Sequence, residues 1–374
     1  MNQSSYLPNL NSVRAIAAMM VVLTHIEFCK PASTPYPFLE SLGGMAVCIF
    51  FVLSGFIITY LLLNEKKKKN HISIRRFYLK RMLRIWPLFF LILTVGYFII
   101  PLILPDYYQR EHGRFAWNSI LLNIFFLTNI TFVLKLTPTI ITVIWSIGIE
   151  EQFYIFWPWL ARINNKTFFK AILLVILIFP LLKISFFIAS TITHSSITVF
   201  MSSVLGTTRF ELMAIGGFFG YLAVHEILPV KFFVTRSFFY KPAVQWISLA
   251  GFLGCVTAGI ISTSPEAYQV ITLPMGVFTG IVLLNLAINT SAVFTLENKF
   301  ANYLGKISYG IYLWHMPLVV VFYHFMGARL QSINAVAQNI ISYFSIIAIT
   351  IAIASASYYF FELRFLNIRD KLNK

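Results

Sequence analysis

Acidic residues are scarce in this chain: 13 Asp and Glu among 374 residues, against 29 Lys and Arg. Charge of either sign is scarce as well, at 11% of residues, where a soluble domain carries about 25%. Apolar residues fill the gap at 58%, in runs of roughly 18 to 20 that recur from end to end, each long enough to cross a bilayer as a helix. Together these exclude a soluble globular protein and imply a polytopic membrane protein. Only three cysteines are present, Cys29, Cys48 and Cys255, with no CxxC or CxxH spacing. A structural metal site or a disulfide framework is therefore not expected. Cys29 and Cys48 flank one loop, the one place a bridge would fit, but no motif calls for it. No internal repeat and no low-complexity linker appears. The first apolar run lacks a strongly basic leader and a small-residue cleavage pattern, so it is read as a retained helix and not as a signal peptide.

The net charge of +16 raises nucleic-acid binding as a possibility. The distribution argues against it. Basic residues concentrate in short loops between apolar runs, as they do in cytoplasmic loops of membrane proteins. Ten spans are predicted, at 10–28, 43–63, 86–105, 145–161, 171–190, 207–225, 243–263, 270–288, 306–326 and 335–360. The densest basic loop, "NEKKKKNHISIRRFYLKRMLR", is assigned to the cytoplasm. Lys66 to Lys69 within it are read as topology signalling alone. Working outward from that loop puts both termini in the cytoplasm and faces 30–40, 104–115 and 262–268 outward, while 229–241 stays inside. The scheme closes only if one of two runs, Trp145–Ala161 or Trp117–Leu134, does not cross; the alternative is eleven spans with an inverted second half, and the run set aside is Trp117–Leu134. Asn118, Asn123, Thr128 and Asn129 make it unusually polar, so it is read as a re-entrant or peripheral helix shielded by protein. The fold class is thus an all-α integral membrane protein of about ten transmembrane helices, in a single domain spanning 1–374. No further hydrolase-like domain is expected.

Ionisable side chains inside a membrane are costly and therefore mark candidate sites. In "NSVRAIAAMMVVLTHIEFCK", Arg14 and His25 lie eleven residues apart, close to three helical turns, so they share one face about 16 Å apart. Each has an ordinary reading, Arg14 as a snorkelling anchor and His25 as an interfacial imidazole. Sharing a face favours a common inward path. In "VIWSIGIEEQFYIFWPWL", Glu150 shares a face with both Ser146 and Tyr154, while Glu151 points about 100° away. Glu150 and Glu151 could orient a histidine, accept a sugar hydroxyl, or pair with arginines. In "RRFYLKRMLRIWP", Arg81 and Arg84 are neighbours on a helix. They read as a phosphate-gripping pair or as ordinary contacts to lipid phosphate. In "TTRFELMAIGGFFG", Arg209 and Glu211 face different ways and need separate partners, and Gly216, Gly217 and Gly220 allow close helix packing. In "GKISYGIYLWHMPL", Tyr312 and His315 share a face. Lys183 is a further intramembrane charge.

Taken in order, these stretches resemble the acyltransferase 3 family of multi-spanning membrane acyltransferases. The opening arginine, ten residues and then histidine is similar to the family's first helix. "VCIFFVLSGFIIT" is similar to its second, and Arg81 and Arg84 to its arginine-x-x-arginine pattern. "WSIGIEEQFYIFWP", with Trp145, Ser146, Glu150, Glu151 and Tyr154, and "LGKISYGIYLWHMPL", with Tyr312 and His315, match two later signals. Asn11 and Ser12 stand where the family commonly has Asp and Gly, so Arg14 lacks an acidic neighbour there.

The resemblance implies transfer of an acyl group, acetyl by default, from acyl-coenzyme A to a hydroxyl of a cell-surface carbohydrate or glycolipid. The reaction would run at the plasma (inner) membrane. His25 would act as base or acyl carrier and Glu150 as a relay carboxylate. Arg81 and Arg84 would hold the donor's phosphates, and Arg14 its thioester end or a phosphate. Trp145, Ser146, Glu151, Tyr154, Arg209, Glu211, Tyr312 and His315 would bind substrate or support the site. No metal is expected. Membrane lipids, and a separate extracytoplasmic protein, are the remaining expected partners. A polysaccharide or lipid-precursor transporter would also carry intramembrane charges, but the inverted repeats of such proteins are not visible. A non-catalytic relative is the other alternative.

Overall fold

A computed structural model of the chain describes residues 7–30, 37–106, 117–226, 235–262 and 265–372. Parts of the loops expected at 30–40, 104–115, 229–241 and 262–268 fall outside these residues, namely 31–36, 107–115, 229–234 and 263–264. The regular elements among the described residues are all helices, with no strand. The principal helices are α1 (Leu10–Cys29), α2 (Pro37–Lys69), α3 (Ile74–Thr94) and a short α4 (Ile100–Ile103). They are followed by α5 (Trp117–Ile124), α6 (Thr128–Val133), α7 (Trp145–Arg162), α8 (Asn165–Thr193), α9 (Ser196–Thr207) and α10 (Phe210–Val224). The remainder are α11 (Arg236–Phe239), α12 (Pro242–Ile261), α13 (Pro265–Ile288), α14 (Lys299–Lys306), α15 (Ser308–Gln331), α16 (Ala335–Ser357) and α17 (Leu363–Lys371).

Helices stand at all ten predicted positions. Eight among the described residues are long and apolar enough to cross a membrane: α1, α2, α3 with its extension to Ile103, α8, α12, α13, α15, and α16 with its extension to Lys371. The other two predicted positions are held by α7, of 18 residues, and α10, of 15. Nearly every side chain of α10 is buried, so it is enclosed by other helices. Two differences from expectation concern length. The basic run does not end the helices: α2 continues through Lys69 and α3 begins at Ile74. The segment 196–207, not predicted as an element, forms α9 and packs on α8.

Trp117–Leu134 breaks into two short helices, α5 of 8 residues and α6 of 6. At 1.5 Å per residue neither approaches the roughly 30 Å of a bilayer core. Its polar residues explain the shape. Asn123, Thr128 and Asn129 are buried, whereas Asn118 is exposed. Asn123 donates to the Tyr97 hydroxyl (2.7 Å) and accepts from Thr131 (2.6 Å), which in turn accepts from Thr137 (2.8 Å). Buried polar side chains are tolerable when they are satisfied this way within protein.

The chain gathers into two compact units, interleaved in sequence. The first comprises 1–17, 44–73 and 150–303, and the second 18–43, 74–149 and 304–374. In the first, α2 and α10 cross at glycine. A Cβ on Gly216 would lie 1.9 Å from the Val52 carbonyl oxygen, and one on Gly55 would lie 1.8 Å from that of Met213. Lipid is as apolar as leucine, so helices associate through close packing and polar contacts, which small residues permit. Gly217 and Gly220 are crowded too, though less, against the Trp157 ring at 2.6 Å and the Phe56 carbonyl oxygen at 2.5 Å. In the same unit α8 exposes Leu174, Leu177, Leu181, Ile184 and Ile188, while its one internal cation, Lys183, turns inward. Lys66 does more than signal topology. Its ammonium donates to the carbonyls of Ala161 (3.2 Å) and Ile163, capping the C-terminal end of α7, where the helix dipole favours a cation.

In the second unit α15 packs along α16. Gln338, Ser342, Ile346, Thr350 and Ala354 recur every four residues on α16 and are all buried, a stripe on one helix face. The side chain of Asn334 caps this helix by accepting from the Ala337 amide at 2.9 Å. A π-turn at Tyr358–Glu362 joins α16 to α17, and another at Val95–Ile99 interrupts the end of α3. Such turns carry an extra residue and often lie at functional sites.

Candidate active site

The second unit brings together four of the predicted residues. His25, on α1, is half-buried, and His315, on α15, has no exposed surface. His25 Nδ1 lies 2.9 Å from the Val21 carbonyl oxygen, and His315 Nδ1 lies 3.2 Å from that of Ile311. A carbonyl oxygen only accepts, so these contacts are hydrogen bonds in the tautomer that carries its proton on Nδ1 of each neutral ring. His315 Nε2 is then an acceptor, and it sits 3.3 Å from His25 Nδ1. The ring centroids are 4.9 Å apart at 61°. His25 Nε2 consequently holds a lone pair, on the partly exposed residue of the two.

Tyr312 backs this pair, its ring 5.8 Å from that of His315. The phenol donates to the Val143 carbonyl (2.9 Å) and accepts from Ser146 (2.7 Å). Val143 belongs to a 3₁₀ turn at Thr139–Ile144 that leads into α7, so the Trp-Ser motif is anchored to α15 through this phenol. Trp145 stacks on Phe132 at 5.5 Å.

Beside His25 lies a cluster that reading of the sequence did not single out. Glu27 and Lys30 pair at 3.0 Å with side chains essentially inaccessible, and Tyr343 donates to the same Glu27 oxygen. The signal was present: Glu27 is a carboxylate inside an apolar run, two residues from the histidine. Lys30 lay just past the predicted span, and Tyr343, on α16, is not visible as its partner in sequence.

On α3, Arg81 and Arg84 are half-buried. The Arg81 guanidinium sits over the Phe77 ring at 5.7 Å. Arg84 interacts electrostatically with Glu362 in the second π-turn, whose Oε1 also accepts from Ser357 at 3.0 Å.

The first unit holds the remaining candidates. Glu150 accepts from Ser54 at 2.8 Å through Oε1 and from Tyr154 at 2.9 Å through Oε2. Tyr154 was predicted. Ser54, in the second-helix motif, was not, although a serine within an apolar span is a usable sign. Glu151 is buried on the same helix. Arg14 donates to the Asn11 side-chain oxygen at 3.3 Å, so the position that lacks an acid still supplies a neutral acceptor. Glu211 is taken up by a buried ion pair with Lys183. Arg209, also buried, is the residue before α10 and adds a second positive charge acting on Lys183.

Cys29, Cys48 and Cys255 are all thiols. Among the described residues no three His, Cys, Asp or Glu side chains gather as a metal ion would require.

A family model described as an acyltransferase domain matches residues 7–359. The chain is 25% identical over 332 residues to the peptidoglycan O-acetyltransferase OatA of Listeria monocytogenes, a match covering 84% of the chain and 50% of that protein. It is 26% identical over 377 residues to YrhL of Bacillus subtilis, provisionally named a peptidoglycan O-acetyltransferase, covering 96% and 54%. It is 24% identical over 334 residues to the O-acetyltransferase OatA of Staphylococcus aureus, covering 84% and 51%. The chain therefore spans about half the length of the curated relatives it matches. No solved structure gives a significant match.

Proposed function

The chain belongs to the acyltransferase 3 family, whose domain model it matches over residues 7–359, and on that premise we propose that it is a membrane O-acyltransferase. It moves an acyl group, acetyl in the first instance, from acyl-coenzyme A to a hydroxyl of a cell-surface carbohydrate or glycolipid. The relatives named for peptidoglycan make that polymer the first acceptor to test. The enzyme sits in the plasma membrane with both termini in the cytoplasm. The donor enters at the Arg14 end of α1, and a separate extracytoplasmic protein completes delivery where the acceptor lies further out.

One observation carries this reading: His25 Nδ1 lies 2.9 Å from the Val21 carbonyl oxygen, and the tautomer that donates Nδ1–H to it leaves a bare Nε2 on a half-buried ring. A nitrogen so prepared is a general base for a hydroxyl. An imidazole also suits the task because its ordinary pKa lies near working pH. Arg14 lies on the same helix, about three turns away, and steadies the thioester arm of the donor. Arg81 and Arg84 hold its phosphates through forked, charge-assisted hydrogen bonds. Glu150, gripped by two hydroxyl donors, is the second acid–base group. Trp145, Ser146, Tyr312 and His315 support His25, and Glu151, Tyr154, Arg209 and Glu211 are assigned to supporting Glu150 or binding substrate.

The test is direct. The full chain, reconstituted in lipid, is given acetyl-coenzyme A, and release of free thiol and transfer of labelled acetyl to peptidoglycan are followed. His25→Ala is expected to abolish both. Full activity in that variant would end the mechanism.

A further inference from the structure

We propose that His315 is a positioning residue that locks His25 in the tautomer with a bare Nε2 and shares the charge once that nitrogen is protonated. The inference rests on His25 as the base and assigns what holds it ready.

Three features of the pair lead there. First, His315 is completely buried, and a buried polar ring must find partners at both nitrogens. Its Nδ1 is satisfied within its own helix by Ile311. Its Nε2 needs a donor, and the group within reach is the Nδ1–H of His25, at 3.3 Å. Second, that same hydrogen is already directed to Val21 at 2.9 Å. Two acceptors on one N–H make the alternative tautomer, with the proton on Nε2, doubly unfavourable: it would set a lone pair against both. Third, the His315 ring is buried against a neighbour that is itself held in place. Tyr312, one turn earlier on the same face, is fixed by Val143 and Ser146 and closes on it at 5.8 Å.

The consequence for the reaction follows. The acceptor O–H bond breaks and its proton forms the new N–H bond at His25 Nε2, while the oxygen forms the ester bond to the acyl carbon. The thioester C–S bond breaks, the sulfur leaves with the electron pair, and it takes the proton back from Nε2. Between those two transfers His25 is an imidazolium. Its Nδ1–H then bonds a neutral acceptor, His315 Nε2, in addition to the carbonyl, and a hydrogen bond from a charged donor is roughly twice as strong as a neutral one. His315 touches no reacting atom. Its contribution belongs to the step in which charge appears, and hence to kcat and not to KM.

Two substitutions of similar polarity separate this from plain packing. In His315→Gln the amide oxygen reaches the position of Nε2. In His315→Asn it reaches only that of Nδ1. With acetyl-coenzyme A as the probe and monodisperse full-length protein in nanodiscs, the Gln variant is expected to keep kcat within about tenfold. The Asn variant is expected to lose about 100-fold, near the upper end for one hydrogen bond to a charged group, both at unchanged KM. Equal losses in the two variants, a loss in KM instead, or wild-type kcat in the Asn variant would each overturn the proposal. His25→Ala keeps the two claims apart: activity there removes the base itself, whereas a dead His25→Ala beside a fully active His315→Asn removes only the pairing. Nitrogen-15 NMR of histidine-labelled wild-type protein in lipid decides the matter without a variant at His315. The His25 signal, assigned by its loss in His25→Gln, is expected to report Nδ1–H, and an Nε2–H signal refutes the lock.

Discussion

Ser54 donates its hydroxyl to Glu150 Oε1 at 2.8 Å across 96 residues of sequence, and Tyr154 donates to the other oxygen at 2.9 Å. Two neutral donors fix the direction of the carboxylate without cancelling its charge. If Glu150 is an acid–base group, losing the charge should cost far more than losing one donor. Glu150→Gln is expected to lower kcat about 100-fold. Ser54→Ala removes one hydrogen bond to a charged group, about 1.5 kcal/mol, and should lower kcat about tenfold. Steady-state thiol release from acetyl-coenzyme A measures both. Equal effects would make Glu150 a structural residue.

Lys183 and Glu211 form a different kind of pair, buried on both sides. Breaking a buried pair strands a charge and costs about 3–5 kcal/mol, whereas replacing both partners by apolar residues is often neutral. Lys183→Met is therefore expected to lower thermal stability sharply in detergent, and Lys183→Met with Glu211→Leu to recover most of it. Activity should follow folded yield. A double variant that is stable but inactive would move Glu211 from structure to chemistry.

These two pairs show what the sequence makes legible and where it stops. Hydropathy places helices at all ten predicted positions, because apolar length is a local property. The polar composition of Trp117–Leu134 likewise marks a segment unsuited to lipid, and the structure breaks it at Phe125 and Phe126. Partnerships are not local. Spacing on a helix puts Tyr154 beside Glu150 but says nothing of Ser54, and it lists Lys183 and Glu211 without joining them. Glu27 and Tyr343 meet across 316 residues. The tautomer of His25 depends on a carbonyl one turn back, which every helical histidine has, and on His315, which only the fold delivers.

Close packing gives a prediction with its own control. A Cβ at Gly216 would meet backbone, the Val52 carbonyl oxygen at 1.9 Å, which cannot swing aside as a side chain would. Gly254, on α12, has nothing within 4 Å of the same atom. Gly216→Ala is expected to leave little monodisperse protein after extraction. Gly254→Ala should match the wild type or exceed it slightly, since alanine favours a helix over glycine by about 0.8–1.0 kcal/mol. Similar yields from the two would mean that α2 and α10 can separate at this crossing.

The donor site yields the remaining prediction, because phosphate binding and catalysis separate in kinetics. Arg81 and Arg84 are neighbours on α3, far in sequence from the proposed base. Bonds to the nucleotide's phosphates exist equally in the ground state and the transition state, so their loss raises KM and spares kcat. Each charge-assisted bond contributes about 1.5–3 kcal/mol. The double variant Arg81→Ala, Arg84→Ala should therefore raise KM for acetyl-coenzyme A about 100-fold. Acetyl-pantetheine, which lacks the nucleotide, should be used equally well by wild type and double variant. Glu362 sharpens the assignment. Its carboxylate acts on Arg84 and competes with an incoming phosphate, so Glu362→Gln should lower KM for acetyl-coenzyme A while leaving acetyl-pantetheine unaffected. A double variant with unchanged KM would mean that the phosphates are held elsewhere, and an equal loss with both donors would mean that the arginines support the fold instead.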